Sequence, residues 1–203
     1  MKSFKSTLLK TKIYSLALAA VFTIVSCDQN VDSKDTKEIA EDINEEKFEK
    51  DKEKDAEYLV SAAEINLEQI KLGQLAQKNS SSEDVKALGK IMEVEHTKAL
   101  EELNTLASKK QIIIPATLTN DGEKAYDKLQ EKKGADFDKE YCEMMVNGHK
   151  DAVEEFEKVS TDASDADIRD WAGAFVVSLK THHEHSVKCK EKCEAKEKSK
   201  NKL

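Results

Sequence analysis

The chain has 203 residues, with one proline, six glycines, 5% aromatic, 38% hydrophobic and 36% charged residues. Collagen-like, proline-rich and all-β chains need far more Gly, Pro or β-branched residues, so this balance of Lys, Glu, Leu and Ala reads as helical. A net charge of −8 argues against nucleic acid as a partner, because phosphate contacts need a basic surface.

Residues 1–26 carry Lys2, Lys5, Lys10 and Lys12 and no acid, followed by an apolar run from Ile13 to Val25. The run is shorter than the roughly 20 residues a membrane-spanning helix needs. A basic start, a short apolar stretch and a small residue at the break describe a secretory signal peptide. The run ends Ile24-Val25-Ser26-Cys27, which resembles the bacterial lipobox. That resemblance implies a mature chain beginning at Cys27, with a diacylglycerol thioether and an acylated, palmitate-type amine. Two or more acyl chains hold a protein stably at a membrane, where one does so only marginally. The expected location is the bacterial cell envelope, on the periplasmic or outer-membrane face, and an ordinary signal peptide with a chance cysteine is the plainer alternative. Cleavage would take the net charge from −8 to −12 and leave Cys142, Cys189 and Cys193. An odd number of cysteines does not make a disulfide framework.

Residues 27–54 are dense in Asp, Glu, Lys and Asn and read as an acidic, solvated tether, partly helical at most. Four long helical stretches follow within 55–195. The first spans about 55–79 and the second about 83–109, with Ser82 as N-cap. Gln111-Ile112-Ile113-Ile114-Pro115 ends the second, and a minor helix near 121–132 closes at Gly134. The third spans about 136–160. The fourth starts after Ser164, with Asp167 in capping-box position, and runs to about 195. Residues 196–203, a lysine-rich tail, should fray. Long helices joined by short connections point to an all-α, antiparallel up-and-down four-helix bundle, with a minor helix in its central connection.

Placing each stretch on a helical wheel shows what points inward. His96 falls in the middle of the stripe Val85, Leu88, Met92, Ala99, Leu103, Leu106. His149 lies within Tyr141, Cys142, Met145, Ala152, Phe156. His182 lies on Ile168, Trp171, Phe175, Leu179, which Cys189 and Cys193 continue. In the first helix Gln69 centres the stripe, with Glu64 and Glu68 opposite. All four polar residues sit near their helix midpoints, so Gln69, His96, His149 and His182 are expected to share one buried layer. Residues 92–103 also align without gaps to residues 145–156, with Met, His, Ala and two Glu coinciding, as two related helical hairpins would.

The chain resembles a bacterial domain-of-unknown-function family, common in secreted proteins and lipoproteins and assigned to the ferritin-like bundles. The resemblance rests on Ala62-Ala63 through Leu72-Gly73-Gln74-Leu75-Ala76, on Val85-Lys86, and on Met92 with His96-Thr97-Lys98-Ala99. Ile114-Pro115, Phe137-Asp138 with Tyr141, Met145-Val146 with His149, and Leu179-Lys180 with His182 extend it over about 55–187. It implies the ferritin-like fold and the three histidines, and supplies no reaction. Where the family tends to have Glu, this chain has Gln69, which weakens an acidic ligand on the first helix.

A di-iron centre needs carboxylates from two helices and Glu-x-x-His from two others. Glu93 has that spacing to His96 but stands off the stripe, and Val146 precedes His149. A mononuclear site is easier to build: three imidazoles suit Zn²⁺, Cu²⁺ or Fe²⁺, with Met92 and Met145 one turn before two of them. The plainer alternative is a hydrogen-bonded layer that fixes helix register. On sequence alone that alternative takes precedence, and the expected function is a lipid-anchored structural or interaction module of the envelope, without enzymatic activity. Metal binding through His96, His149 and His182 is the second reading. His185, Cys189 and Cys193, spaced i, i+4, i+8, form an auxiliary candidate for soft-metal capture or an intermolecular disulfide. Cys142 faces the core away from any helix N-terminus, so it makes a poor nucleophile. No glycine-rich phosphate loop is present. The membrane is the one partner the residues name.

Overall fold

The computed structural model describes residues 34–200, so the expected signal peptide, Cys27 and residues 201–203 lie outside the described residues. Six α-helices and no strand occur among the described residues. They are α1 (Thr36–Lys47), α2 (Lys50–Asn79), α3 (Glu83–Lys110), α4 (Asn120–Gln130), α5 (Gly134–Asp162) and α6 (Ala166–Lys200). The molecule is a helical bundle in which α2 packs chiefly on α3 and α5 chiefly on α6. No described helix is long and apolar enough to cross a membrane.

Two apolar clusters fill the interior. One draws on Leu59, Leu103, Phe156, Ile168 and Leu179; the other on Leu72, Val85, Met92, Phe137 and Met145. Each large side chain fully withdrawn from water contributes about 1.5–3 kcal/mol, so these stripes fix which face of each helix turns inward. At one place α2 and α3 come much closer than side chains normally allow. A Cβ added at Gly73 would stand 2.6 Å from the Gly89 carbonyl oxygen, and one at Gly89 would stand 2.7 Å from the Gly73 oxygen. The glycines permit backbone-to-backbone contact, and so set the spacing of α2 and α3 a few turns from the histidines.

Three local features depart from the sequence reading. Much of the segment read as a tether is helical: α1 and the first turns of α2 occupy it, and α1 packs against α2. The apolar pattern of α1 is weak, and what docks it is polar. Buried Asn44 donates to the Ile113 carbonyl at 2.7 Å and accepts from the Ile113 N–H at 2.9 Å, which no hydrophobic period reveals. At the start of α6 the capping side chain is Asp165, which accepts from the N–H of Asp167 at 2.8 Å, rather than Ser164. Ser164 and Asp165 instead donate their N–H groups to Asp55, each at 2.8 Å. Finally, α6 continues through part of the lysine-rich end to Lys200. Lys192 and Lys196 bind Asp84 at 2.8 and 2.6 Å, holding its carboxyl down at about 2.

A candidate metal centre between the two halves of the core

His96 of α3, His149 of α5 and His182 of α6 are all buried, with relative exposures of 0%, 1% and 4%. Their ring centroids lie 5.0–5.5 Å apart. One ring nitrogen from each falls within 4.8 Å of the other two, close enough to share one ion. The three occupy the level where one apolar cluster gives way to the other, as expected from their mid-helix positions.

The hydrogen bonds fix two tautomers. His149 Nδ1 lies 2.8 Å from the Met145 carbonyl oxygen, which only accepts, so Nδ1 carries the proton. Asn66 of α2 donates Nδ2–H to the Ala62 carbonyl at 2.7 Å, which turns its Oδ1 toward His96 Nδ1 at 2.8 Å. Rotating that amide would set oxygen against oxygen, so His96 is also protonated on Nδ1. Both Nε2 atoms therefore carry lone pairs, and they face each other at 3.2 Å. Two such atoms repel unless a proton or a cation lies between them. A proton is disfavoured. Burial and the neighbouring rings push His96 well below its ordinary range, while burial above all brings His149 and His182 down to about 4. Two nitrogens bound to a tetrahedral ion at 2.0–2.1 Å stand about 3.3–3.4 Å apart, close to the observed separation.

Gln69 is buried but bonds to none of the three rings, and its Oε1 has no partner. The side chain from α2 that engages the layer is Asn66, one turn away, which the wheel passed over. His182 Nδ1 is likewise buried and unpartnered. Met92 and Met145 are fully buried within the same apolar cluster. Glu93 accepts from Gln74, Gln77 and Lys90, and so is committed outside the layer. Those donors, Gln77 first, lower its carboxyl to about 2.

The C-terminal part of α6 differs from the expected set. His185 is half-buried and does not join the cysteines. Their third neighbour is Cys142 of α5, which lies 3.5 Å from Cys189 and 3.9 Å from Cys193, Sγ to Sγ. Cys142 precedes His149 by seven residues and Cys189 follows His182 by seven, so pairing α5 with α6 at the histidines brings the two cysteines level.

A family model for a domain of unknown function, DUF4142, matches residues 41–188. The chain belongs to this family. The match takes in the last turns of α1 and all three histidines, and carries no activity with it. No curated protein and no solved structure matches the chain.

Proposed function

We propose that this DUF4142 chain is a metal-binding protein of the bacterial cell envelope, holding a transition-metal ion through His96, His149 and His182. The observation that carries the reading is the pair of lone pairs facing each other across 3.2 Å at His96 and His149 Nε2. A layer that served only to fix register would pair donor with acceptor. Here both donors are spent on other acceptors, as metal-bound histidines commonly spend theirs. Three neutral imidazoles and no carboxylate suit Zn²⁺ or copper better than an iron oxidase centre. A cleft of about 280 Å³ between α3 and α6 has Phe175 in its lining, and the Phe175 ring stands edge-on to His96 at 6.4 Å.

The bundle is read as antiparallel, four-helix and ferritin-like, with α1 and α4 as additions. The Asp84 pairing joins the start of α3 to the end of α6. Asp55, near the start of α2, meets the turn after α5. These meetings and the family resemblance support that arrangement. Cys27 is read as the lipidated residue that tethers the bundle. A palmitate analogue should label the wild type and not Cys27→Ala; equal labelling of both would refute the anchor.

The test of the metal reading is bound metal. The chain is purified without chelators after growth with Zn, Cu, Fe and Mn, and analysed by mass spectrometry. The wild type is expected to hold about one equivalent more than the His96→Ala, His149→Ala, His182→Ala triple variant. Substoichiometric metal under every supply would overturn the reading and return the module without chemistry as the better account.

A further inference from the structure

We propose that Cys142, Cys189 and Cys193 form a second, separate site that takes a soft monovalent cation, Cu⁺, in three-coordinate thiolate geometry. The inference does not rest on the histidine reading. All three cysteines are free thiols. They come from two helices, and one sulfur from each lies within 4.8 Å of the other two. Three sulfurs bound at about 2.3 Å to a trigonal ion stand about 4.0 Å apart, and the observed separations from Cys142 are 3.5 and 3.9 Å. No fourth His, Cys, Asp or Glu completes the group among the described residues. Structural zinc closes its shell with four ligands, whereas three soft thiolates without a fourth ligand suit Cu⁺.

The surroundings fit a bound cation. Cys142 is fully buried, Cys189 is 5% exposed and Cys193 is half-buried, so solvent reaches the cluster from the Cys193 side. The cleft there is lined by Ser82, Asp138, Cys193 and Lys196. The Cys142 S–H above all, then Cys193 and Lys192, lower the Cys189 thiol, while Cys189 and burial raise Cys142, and burial and then Cys189 raise Cys193. Binding displaces the thiol protons to solvent. The Tyr141 hydroxyl is buried without a partner, and burial above all, then Cys142 and Cys189, oppose its ionisation.

The site stands two turns, about 10 Å, from the histidine layer along both α5 and α6. Met92 and Met145 belong to the same core cluster as Cys142 and Cys189, so the ground between the two donor sets is apolar and contains thioether sulfur.

The test uses the full chain, reduced and anaerobic, titrated with Cu⁺ against bicinchoninate. The expected result is one equivalent withdrawn with a thiolate-to-copper charge-transfer band. That band persists in the triple histidine variant and is absent from Cys142→Ser, Cys189→Ser, Cys193→Ser. A second measurement keeps the proposal falsifiable should the serine variant lose its helical circular dichroism. In wild-type protein Cu⁺ should slow iodoacetamide alkylation of all three thiols, mapped by peptide mass, by about tenfold or more. Alkylation unchanged by Cu⁺, a titration unaltered in a folded serine variant, or a four-coordinate zinc complex formed in preference would each overturn it. None of these outcomes bears on the histidine site.

Discussion

Two of the places where the bundle withdraws polar groups from water settle the cost differently. In the histidine layer the groups are neutral, and two of the three protonated nitrogens are held by fixed acceptors, Asn66 Oδ1 and the Met145 carbonyl. On the opposite face of α2 the groups are acids. Glu64 accepts from Lys37 at 2.7 Å and from Thr119 at 2.8 Å. Glu68, one turn on, is half-buried beside Glu64 and Asp121, and burial first, then those two charges, raise it to about 7. Lone pairs left without a donor make a ligand site when they converge, as at the rings. A single carboxyl left without a cation is only a cost.

That contrast is most exposed at Glu68. Its folded pKa lies above the ordinary carboxylic value, so the fold prefers the protonated acid. The contribution to stability is full below about pH 4.5 and is lost as pH rises through about 7. Glu68→Gln should therefore stabilise the protein by up to about 3 kcal/mol at pH 8 and by little at pH 5. Urea unfolding at the two pH values measures this. An equal effect at both would mean that Glu68 is already neutralised by a partner.

On the inner side, Asn66→Leu removes the acceptor that orients His96 and leaves the three rings in place. Metal affinity should fall about 10- to 100-fold, as when second partners of metal-bound histidines are removed. A competition titration reads the change, and Asn66→Asp should restore much of it, since a carboxylate also accepts from Nδ1–H. Unchanged affinity in the leucine variant would show that the tautomer is not set by α2.

The histidines were legible because each interrupts an apolar stripe at mid-helix, where a polar residue stands out. Asn66 was not, because a side chain that bonds to its own helix at Ala62 looks, on a wheel, like any residue at the stripe's edge. Cys142 was hidden for the opposite reason. A cysteine inside an apolar stripe is indistinguishable from core until the facing helix is known, and only the pairing of α5 with α6 brings Cys189 and Cys193 to it. The lengths of α2, α3, α5 and α6 were readable from periodicity and breaks. The docking of α1 was not, since it rests largely on polar contacts, among them an asparagine reading the backbone of a loop some seventy residues away.

The outer side can be probed through that asparagine. Asn44→Ala deletes both bonds to Ile113 and should cost about 1–2 kcal/mol in global stability. It should loosen α1 first, seen as faster amide exchange over Thr36–Lys47 than over α3 or α5. Lys37 would leave Glu64 with it. If α1 supplies much of the burial of Glu68, then the gain from Glu68→Gln at pH 8 should shrink in the Asn44→Ala background. A gain of the same size in both backgrounds would assign that burial to α2 and α4 instead.

The smallest effect should come from Gln69, the polar residue that lies near the layer without joining it. Its Oε1 is buried with no donor, and the Nε2 is 3.8 Å from where a Cβ on Gly148 would stand. An amide oxygen in that position forfeits its hydration and recovers nothing in exchange. Gln69→Met keeps the length of the side chain and removes both polar ends, so stability should stay within about 1 kcal/mol of wild type or rise slightly. Metal content should be unchanged. A large loss of either would mean that Gln69 turns toward His182, whose buried Nδ1 has no partner. The layer would then be completed from α2 at two successive turns rather than one.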